Sequence, residues 1–134
     1  MRKIEREMVG AVAECFGNAS LSGQVWRSAN TTVRQDHSGV LGTPSYDRVV
    51  DVILHETTIA RFDPAIQRLT LRTNGWHTRT TASRINALLA TFSPGWQVFS
   101  KRGTLQIRED DWTPGISHPL TEGREVSFKP IALL

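Results

Sequence analysis

Polar, aromatic and basic side chains crowd into residues 73–84, which read Thr-Asn-Gly-Trp-His-Thr-Arg-Thr-Thr-Ala-Ser-Arg. The apolar pattern of a helix begins within this segment. A helix start leaves backbone N–H groups unpaired and carries partial positive charge, so hydroxyls and guanidinium groups beside it favour a bound phosphate. An aromatic ring there can also stack on a base. The candidate ligand-binding residues of this segment are Trp76, His77, Thr78, Arg79, Thr80, Thr81 and Arg84.

The same segment has a structural interpretation, which the sequence leaves open. Thr80 or Thr81 is the natural N-cap of the helix. Trp76 is also suited to a core, and the two arginines are suited to ion pairs with acidic residues elsewhere. The glycines of a Walker loop or of a dinucleotide fingerprint are missing, so no established nucleotide motif decides between the interpretations.

A second basic segment is predicted at the turn of a hairpin over residues 96–108. Lys101 and Arg102 lie at this turn, with Trp96, Phe99 and Arg108 on its strands. Basic and aromatic residues on a hairpin suit the tracking of a phosphate backbone. Alternatively, the aromatic residues pack on a helix, and Lys101 and Arg102 only protect the turn from edge pairing.

These residues depend on elements that can be predicted from hydrophobic periodicity. Apolar residues recur at helical spacing over residues 2–16 and 81–92. Runs rich in β-branched residues predict strands at 31–36, 48–55, 57–62, 66–72, 96–100, 104–108 and 124–128. Residues 18–29 and 109–123 are predicted to be loops, with Val25 and Trp26 anchored in the core. Strands in runs with helices set apart indicate an α+β fold, in which a largely antiparallel sheet packs with both helices.

Length and composition restrict the class of protein. The chain has 134 residues, which suits a single domain over 1–134, and its formal charge of +3 permits an anionic partner without requiring one. Cys15 is the only cysteine, so an intramolecular disulfide and a cysteine-based zinc site are excluded. It lies in the apolar pattern of the first helix and is predicted to be a buried, unreactive side chain.

The sequence contains no leader-like or membrane-spanning pattern, and we expect a soluble cytoplasmic protein. Hydrolase motifs are absent, and no cofactor or metal is expected. Asp51, His55, Glu56 and His77 form a weak alternative metal set. The acidic run at 109–111 is typical of a solvated loop. Catalysis stays open, and the sequence favours a non-catalytic protein.

The segments 69–89 and 94–103, with their pattern GW-T-TT-R-N-LL … VF-K, resemble a family of small uncharacterised proteins from tailed bacteriophages. Residues 1–8 and the residues Trp26, Asn30 and Val33 are similar to the same family's N-terminal half. The resemblance implies a small accessory protein made in the host cytoplasm. It implies no activity, because none is established for the family.

Three binding functions therefore compete. The leading hypothesis is contact with nucleic-acid phosphates through the basic, threonine-rich helix start. The alternatives are a protein that binds and inhibits a host enzyme or defence system, with an apolar patch near Trp26, Trp112 or residues 131–134, and a protein that sequesters a nucleotide. A metal-dependent hydrolase is the enzymatic alternative. The sequence does not give the oligomeric state.

Overall fold

The computed structural model describes residues 1–109, 116–120 and 123–131. Two helices and nine strands follow one another in these ranges. Every strand pair is antiparallel, so the predicted α+β class with a largely antiparallel sheet is confirmed. The elements are α1 (Lys3–Gly17), β1 (Gly23–Ser28), β2 (Thr31–Ser38), β3 (Asp47–Leu54), β4 (Thr57–Asp63), β5 (Arg68–Leu71), α2 (Arg79–Phe92), β6 (Trp96–Lys101), β7 (Thr104–Glu109), β8 (His118–Pro119) and β9 (Arg124–Ser127).

The strands form two sheets. Strands β1 to β5 are neighbours in chain order, and β9 pairs with β5 to give a six-stranded sheet; β6, β7 and β8 form a three-stranded sheet. Helix α2 and the small sheet are therefore inserted between two paired strands of the large sheet. The assignment of residues 1–134 to a single domain stays a prediction.

Both helices place an apolar stripe against the inner face of the large sheet, and β6 packs along α2. Four phenylalanines make the centre of this core. Phe16 contacts the rings of Phe62, Phe92 and Phe128 at centroid distances of 5.4, 5.3 and 5.4 Å. Burial of such a side chain stabilises the fold by roughly 1.5–3 kcal/mol. The cluster joins α1, β4, the end of α2 and the segment after β9.

The outer face of the large sheet carries a polar row at right angles to the strands. Strand register puts one residue from each of the six strands beside the next, in the order Gln24, Arg34, Asp51, Arg61, Thr70 and Glu125. The alternation of buried and half-buried residues along β2 places this row opposite the helix-bearing face. Charged side chains of opposite sign therefore meet on the face that the helices leave open.

One predicted helix boundary was wrong, and two strands were missed. Helix α2 begins at Arg79 and not at residue 81, because Thr78 is its N-cap in place of Thr80 or Thr81. Strand β1 lies within the predicted loop 18–29, where a register shift between Gln24 and Trp26 breaks the strand alternation. Val25 and Trp26 pack against the core as predicted. The short strand β8 lies in the predicted loop 109–123.

Candidate functional site

The start of α2 is organised by two threonines that bond to each other. The Thr78 hydroxyl accepts a hydrogen bond from the Thr81 backbone N–H at 3.1 Å, and the two hydroxyl oxygens lie 3.0 Å apart. Thr81 is fully buried, whereas Thr78 is exposed and Thr80 is half-buried. Thr81 therefore belongs to the cap of the helix, and we remove it from the candidate ligand-binding residues.

Arg84 requires a similar correction, because the structure places it inside the protein. Its guanidinium is directed to Glu5 and Thr31, with Nη1 3.2 Å from the Glu5 carboxylate and Nε 3.1 Å from the Thr31 hydroxyl. Only 4% of the residue is exposed. A buried, paired guanidinium does not reach a ligand in solvent, so Arg84 holds α1 against α2.

Glu5 stands at the centre of this buried network. Burial is the largest influence on its carboxyl and opposes ionisation, but hydrogen bonds from Ser83 and Arg2 outweigh it and hold its pKa below the ordinary value. The Ser83 hydroxyl donates to the carboxylate from the first turns of α2. The carboxylate is therefore charged at neutral pH and has partners from both helices.

A single hydrogen bond joins the two basic segments that the sequence singled out. The backbone N–H of Leu105 donates to Nδ1 of His77 at 3.0 Å. His77 immediately precedes the N-cap of α2, and Leu105 is the second residue of β7, just after the hairpin turn. Lys101 and Arg102 lie at this turn, and both are exposed. The hydrogen bond therefore brings the hairpin turn to the start of α2.

We define the basic end as Trp76, Thr78, Arg79, Lys101 and Arg102, which are all exposed. The ion pairs in the described ranges involve none of its three cations. Its positive charge is therefore available to a ligand. His77 and the half-buried Thr80 adjoin the basic end, His77 as the link to the hairpin.

Trp76 gives the basic end an aromatic surface. Nearly half of this residue is exposed, at 48%, and its ring lies 6.0 Å from that of His55, with an angle of 32° between the planes. His55 belongs to the β3–β4 turn, and its Nε2 is 3.3 Å from Nδ2 of Asn30. Sequence reasoning missed this partner of Trp76, because no local signal connects two turns that are 21 residues apart in numbering.

His55 and Glu56 are unusual residues for their turn. Their φ angles are 49° and 67°, in the left-handed region that Asn and Gly favour. The ring of His55 also lies beside the indole of Trp76. Such outliers are frequent at binding sites.

The described residues contain no group of three or more histidine, cysteine, aspartate or glutamate side chains placed to hold a metal ion. Asp51, one member of the weak metal set, is bonded to Arg61. Cys15 is fully buried, as predicted, and burial raises its pKa to about 11, with Glu14 adding to the shift. No helix in the described ranges is long and apolar enough to cross a membrane.

Fold and site together define an α+β protein with an uncovered polar sheet face and one basic, aromatic end. The model of the Kyanoviridae Gp96 protein family matches residues 1–127. The chain therefore belongs to this family of tailed-phage proteins, which confirms the resemblance seen in the sequence. No curated protein and no solved structure matches the chain.

Proposed function

We propose that this phage protein is a non-catalytic accessory protein that acts in the host cytoplasm and binds nucleic acid through the basic end. One observation carries the proposal. The His77–Leu105 hydrogen bond gathers the exposed cations of two distant segments beside an exposed indole. Cations neutralise phosphates and aromatic rings stack on bases, so this combination suits a nucleic-acid strand better than a small anion alone.

The first turn of α2 supplies backbone donors to the basic end. The N–H of Thr81 is taken by the Thr78 hydroxyl, and the N–H of Ala82 by the Thr78 carbonyl. The N–H groups of Arg79 and Thr80 have no acceptor within the helix. Two backbone donors at the positive end of the helix dipole, together with the exposed Arg79, are therefore available to a phosphate.

The exposed indole of Trp76 favours single-stranded over double-stranded nucleic acid as the ligand. A base in a duplex is already stacked on its neighbours, whereas an unpaired base is free to stack on an aromatic side chain. Each such stack contributes about 1–3 kcal/mol. The ring of His55 lies on one side of the indole, 6.0 Å away between centroids.

The test is an electrophoretic mobility shift with single- and double-stranded DNA and RNA, repeated over a series of salt concentrations. We expect the triple variant Arg79→Ala, Lys101→Ala, Arg102→Ala to bind weakly and to reduce the slope of log affinity against log salt by about 0.7–0.9 per lost phosphate contact. Lys129→Ala is the matched control, because Lys129 is exposed and its N–H bonds to Phe92 at the far end of α2.

A triple variant that binds like the parent, or a Lys129→Ala variant that loses as much affinity per charge removed, would contradict the proposal.

The aromatic contribution has a separate test. We expect Trp76→Ala to weaken single-strand binding about tenfold and to leave the salt slope unchanged, because stacking releases no counterions. An unchanged affinity for single strands would remove Trp76 from the site.

A second candidate function is the binding of a host protein, as an inhibitor of an enzyme or defence system. Val40 and Leu41 are 65% and 78% exposed in the β2–β3 loop. Hydrogen bonds from the Thr43 N–H and hydroxyl to the Val40 carbonyl hold this loop in shape. An ordered loop that presents two apolar side chains is typical of a protein contact.

The apolar patches predicted from the sequence do not replace this loop. Trp26 packs against the core, and Trp112 and residues 132–134 lie outside the described residues.

Capture of host proteins on immobilised protein, after nuclease treatment and at high salt, tests this candidate. We expect Leu41→Asp to release the captured protein, because a buried carboxylate in the contact is unfavourable. Trp76→Ala is the control, since it alters the opposite end of the β2 and β3 strands. Capture that survives Leu41→Asp would exclude the loop as the contact.

A further inference from the structure

We propose that a cavity on the outer face of the large sheet is a binding site for a phosphate monoester. The cavity has a volume of about 240 Å³ and lies where β4 and β5 pair, away from the helices. The residues that line it, in the part of the chain that the structure describes, are Thr58, Ala60, Arg61, Thr70, Arg72 and Asn74, and none of these is acidic. None of these belongs to the basic end, so the inference does not depend on the proposed function.

Arg61 is held in place by the polar row of the sheet. Its Nε and Nη2 donate to the two carboxylate oxygens of Asp51 at 2.8 and 3.1 Å. Asp51 is only 5% exposed, and its hydrogen bonds and charge raise the pKa of Arg61. The pairing uses one edge of the guanidinium and leaves Nη1 without an acceptor in the described ranges. Asp51 therefore orients Arg61 and leaves a donor for a ligand.

Arg72 supplies a positive charge that no acidic side chain in the described ranges pairs with. Its guanidinium forms no ion pair and no hydrogen bond with any residue that the structure describes. Its side chain lies against Gly123, where a Cβ would come within 3.3 Å of Nε and 3.4 Å of Cγ. The backbone N–H of Arg72 bonds to the Ile59 carbonyl at 2.9 Å, which fixes the base of the side chain. The absence of a side chain at Gly123 thus makes room for Arg72.

Uncharged hydrogen-bond donors line the cavity beside the two arginines. The side chains of Thr58 and Thr70 lie on the outer face of neighbouring strands, and the Asn74 amide donates to the Thr58 carbonyl at 3.1 Å. This amide and the two hydroxyls can each donate to a phosphate oxygen. Two guanidinium groups with hydroxyl and amide donors can supply several hydrogen bonds to the three terminal oxygens of a monoester, although Asp51 already offsets the charge of Arg61.

The volume of the cavity limits the size of the ligand group that it can hold. Pockets for drug-sized ligands begin at about 300 Å³, so this cavity admits a phosphate group with part of its substituent and not a whole dinucleotide. A terminal phosphate of a nucleic acid and the phosphate of a free nucleotide share this chemistry. A phosphodiester offers only one negative charge and is bulky on both sides, so it fits less well.

The first experiment titrates inorganic phosphate into the whole chain and follows the arginine Nε resonances by NMR. We expect saturable shifts of Arg61 and Arg72, and a Kd about tenfold or more higher in Arg72→Gln. Arg68→Gln is the matched control, because Arg68 lies on the same face of β5 but pairs with Glu125 at 3.3 Å. Thr70→Val keeps the shape and removes one donor, and we expect a smaller loss.

Shifts that are absent, that do not saturate, or that weaken as much in Arg68→Gln as in Arg72→Gln would overturn the proposal. A comparison of one oligonucleotide with and without a 5′-phosphate then identifies the source. A preference for the phosphorylated strand that Arg72→Gln abolishes assigns a nucleic-acid end, whereas equal binding of both strands with a retained response to a nucleoside monophosphate assigns a free nucleotide. Either result supports the site. Failure of the basic-end variants leaves this result unaffected.

Discussion

The guanidinium of Arg84 and the carboxylate of Glu5 form an ion pair inside the protein, with Nη1 and Oε2 3.2 Å apart. Their side chains are 5% and 4% exposed, and the residues are 79 positions apart in the chain. Each charge needs the other, because an unpaired charge in the interior is very unfavourable. The pair therefore holds α1 against α2 and helps to fix the position of the first turns of α2 relative to the large sheet.

Removal of one partner should cost much of the stability of the fold. We expect Arg84→Met to lower the free energy of unfolding by about 3 kcal/mol, because the buried Glu5 carboxylate loses its one buried cationic partner and keeps only the more exposed Arg2. Urea unfolding followed by circular dichroism measures the change. Arg79→Ala is the control, since Arg79 is exposed, and its effect should be within about 0.5 kcal/mol.

The double variant Glu5→Leu, Arg84→Met distinguishes the stability effect of losing the ion pair from the effect of losing packing. Apolar residues of similar volume often replace a buried ion pair without loss, so we expect the double variant to be more stable than Arg84→Met alone. A double variant that is less stable than either single variant would show that the hydrogen bonds to Thr31 and Ser83 matter more than the charge pair.

The cap of α2 gives a second prediction. Thr78→Ala should lower stability by about 1 kcal/mol, because the Thr81 N–H loses its acceptor, and Thr78→Ser should restore most of it. Thr80→Ala tests one of the two positions predicted for the cap from the sequence and should change little. Thermal unfolding of the three variants decides between the positions, and equal losses in Thr78→Ala and Thr80→Ala would argue against a cap at Thr78.

The raised pKa of Cys15 predicts a loss of stability at high pH. The thiol keeps its proton in the folded state up to about pH 11, whereas the unfolded chain loses it above about pH 9. The folded state therefore binds more protons in this window, and its stability falls as pH rises, by on the order of 2 kcal/mol. We expect the stability difference between the wild type and Cys15→Ala to shrink from pH 8 to 11. A constant difference would mean that Cys15 titrates normally.

Asn86 protects the outer edge of β6. Its side-chain amide donates to the Val98 carbonyl at 2.8 Å and accepts from the Val98 N–H at 2.7 Å, as a paired strand would. We expect Asn86→Leu to lower stability by about 1–3 kcal/mol, because both backbone groups lose their partner. The freed edge should also promote self-association, which size-exclusion chromatography with light scattering measures. A stable monomeric variant would show that the amide is dispensable.

Local patterns predicted most elements because the signal lies within a few residues. The apolar stripe of α2 recurs at helical spacing through Ile85, Leu88, Leu89 and Phe92, and all four are fully buried. The start of this helix was misplaced because three threonines compete for the cap. Strand β1 was missed because the surrounding segment is rich in Ser, Gly and Asn, and because a bulge interrupts the alternation of the strand.

The features that could not be predicted from the sequence depend on partners that are distant in the chain. Nothing near Arg84 distinguishes it from the exposed Arg79, because its partners Glu5 and Thr31 come from distant parts of the chain. The cavity at the pairing of β4 and β5 has the same origin. Its two arginines are oriented by Asp51 and Gly123, which lie on other strands or loops and carry no local sign of that role.

The insertion of α2 and the small sheet between β5 and β9 has a consequence for biosynthesis. Strands β1 to β5 are sequential neighbours and can associate as soon as they leave the ribosome. β9 must wait until about 50 further residues have been made, and its pairing then closes a long loop. Until that moment the edge of β5 is open to other nascent chains. Rapid completion of the C-terminal segment would therefore shorten the time in which this edge can pair with another chain.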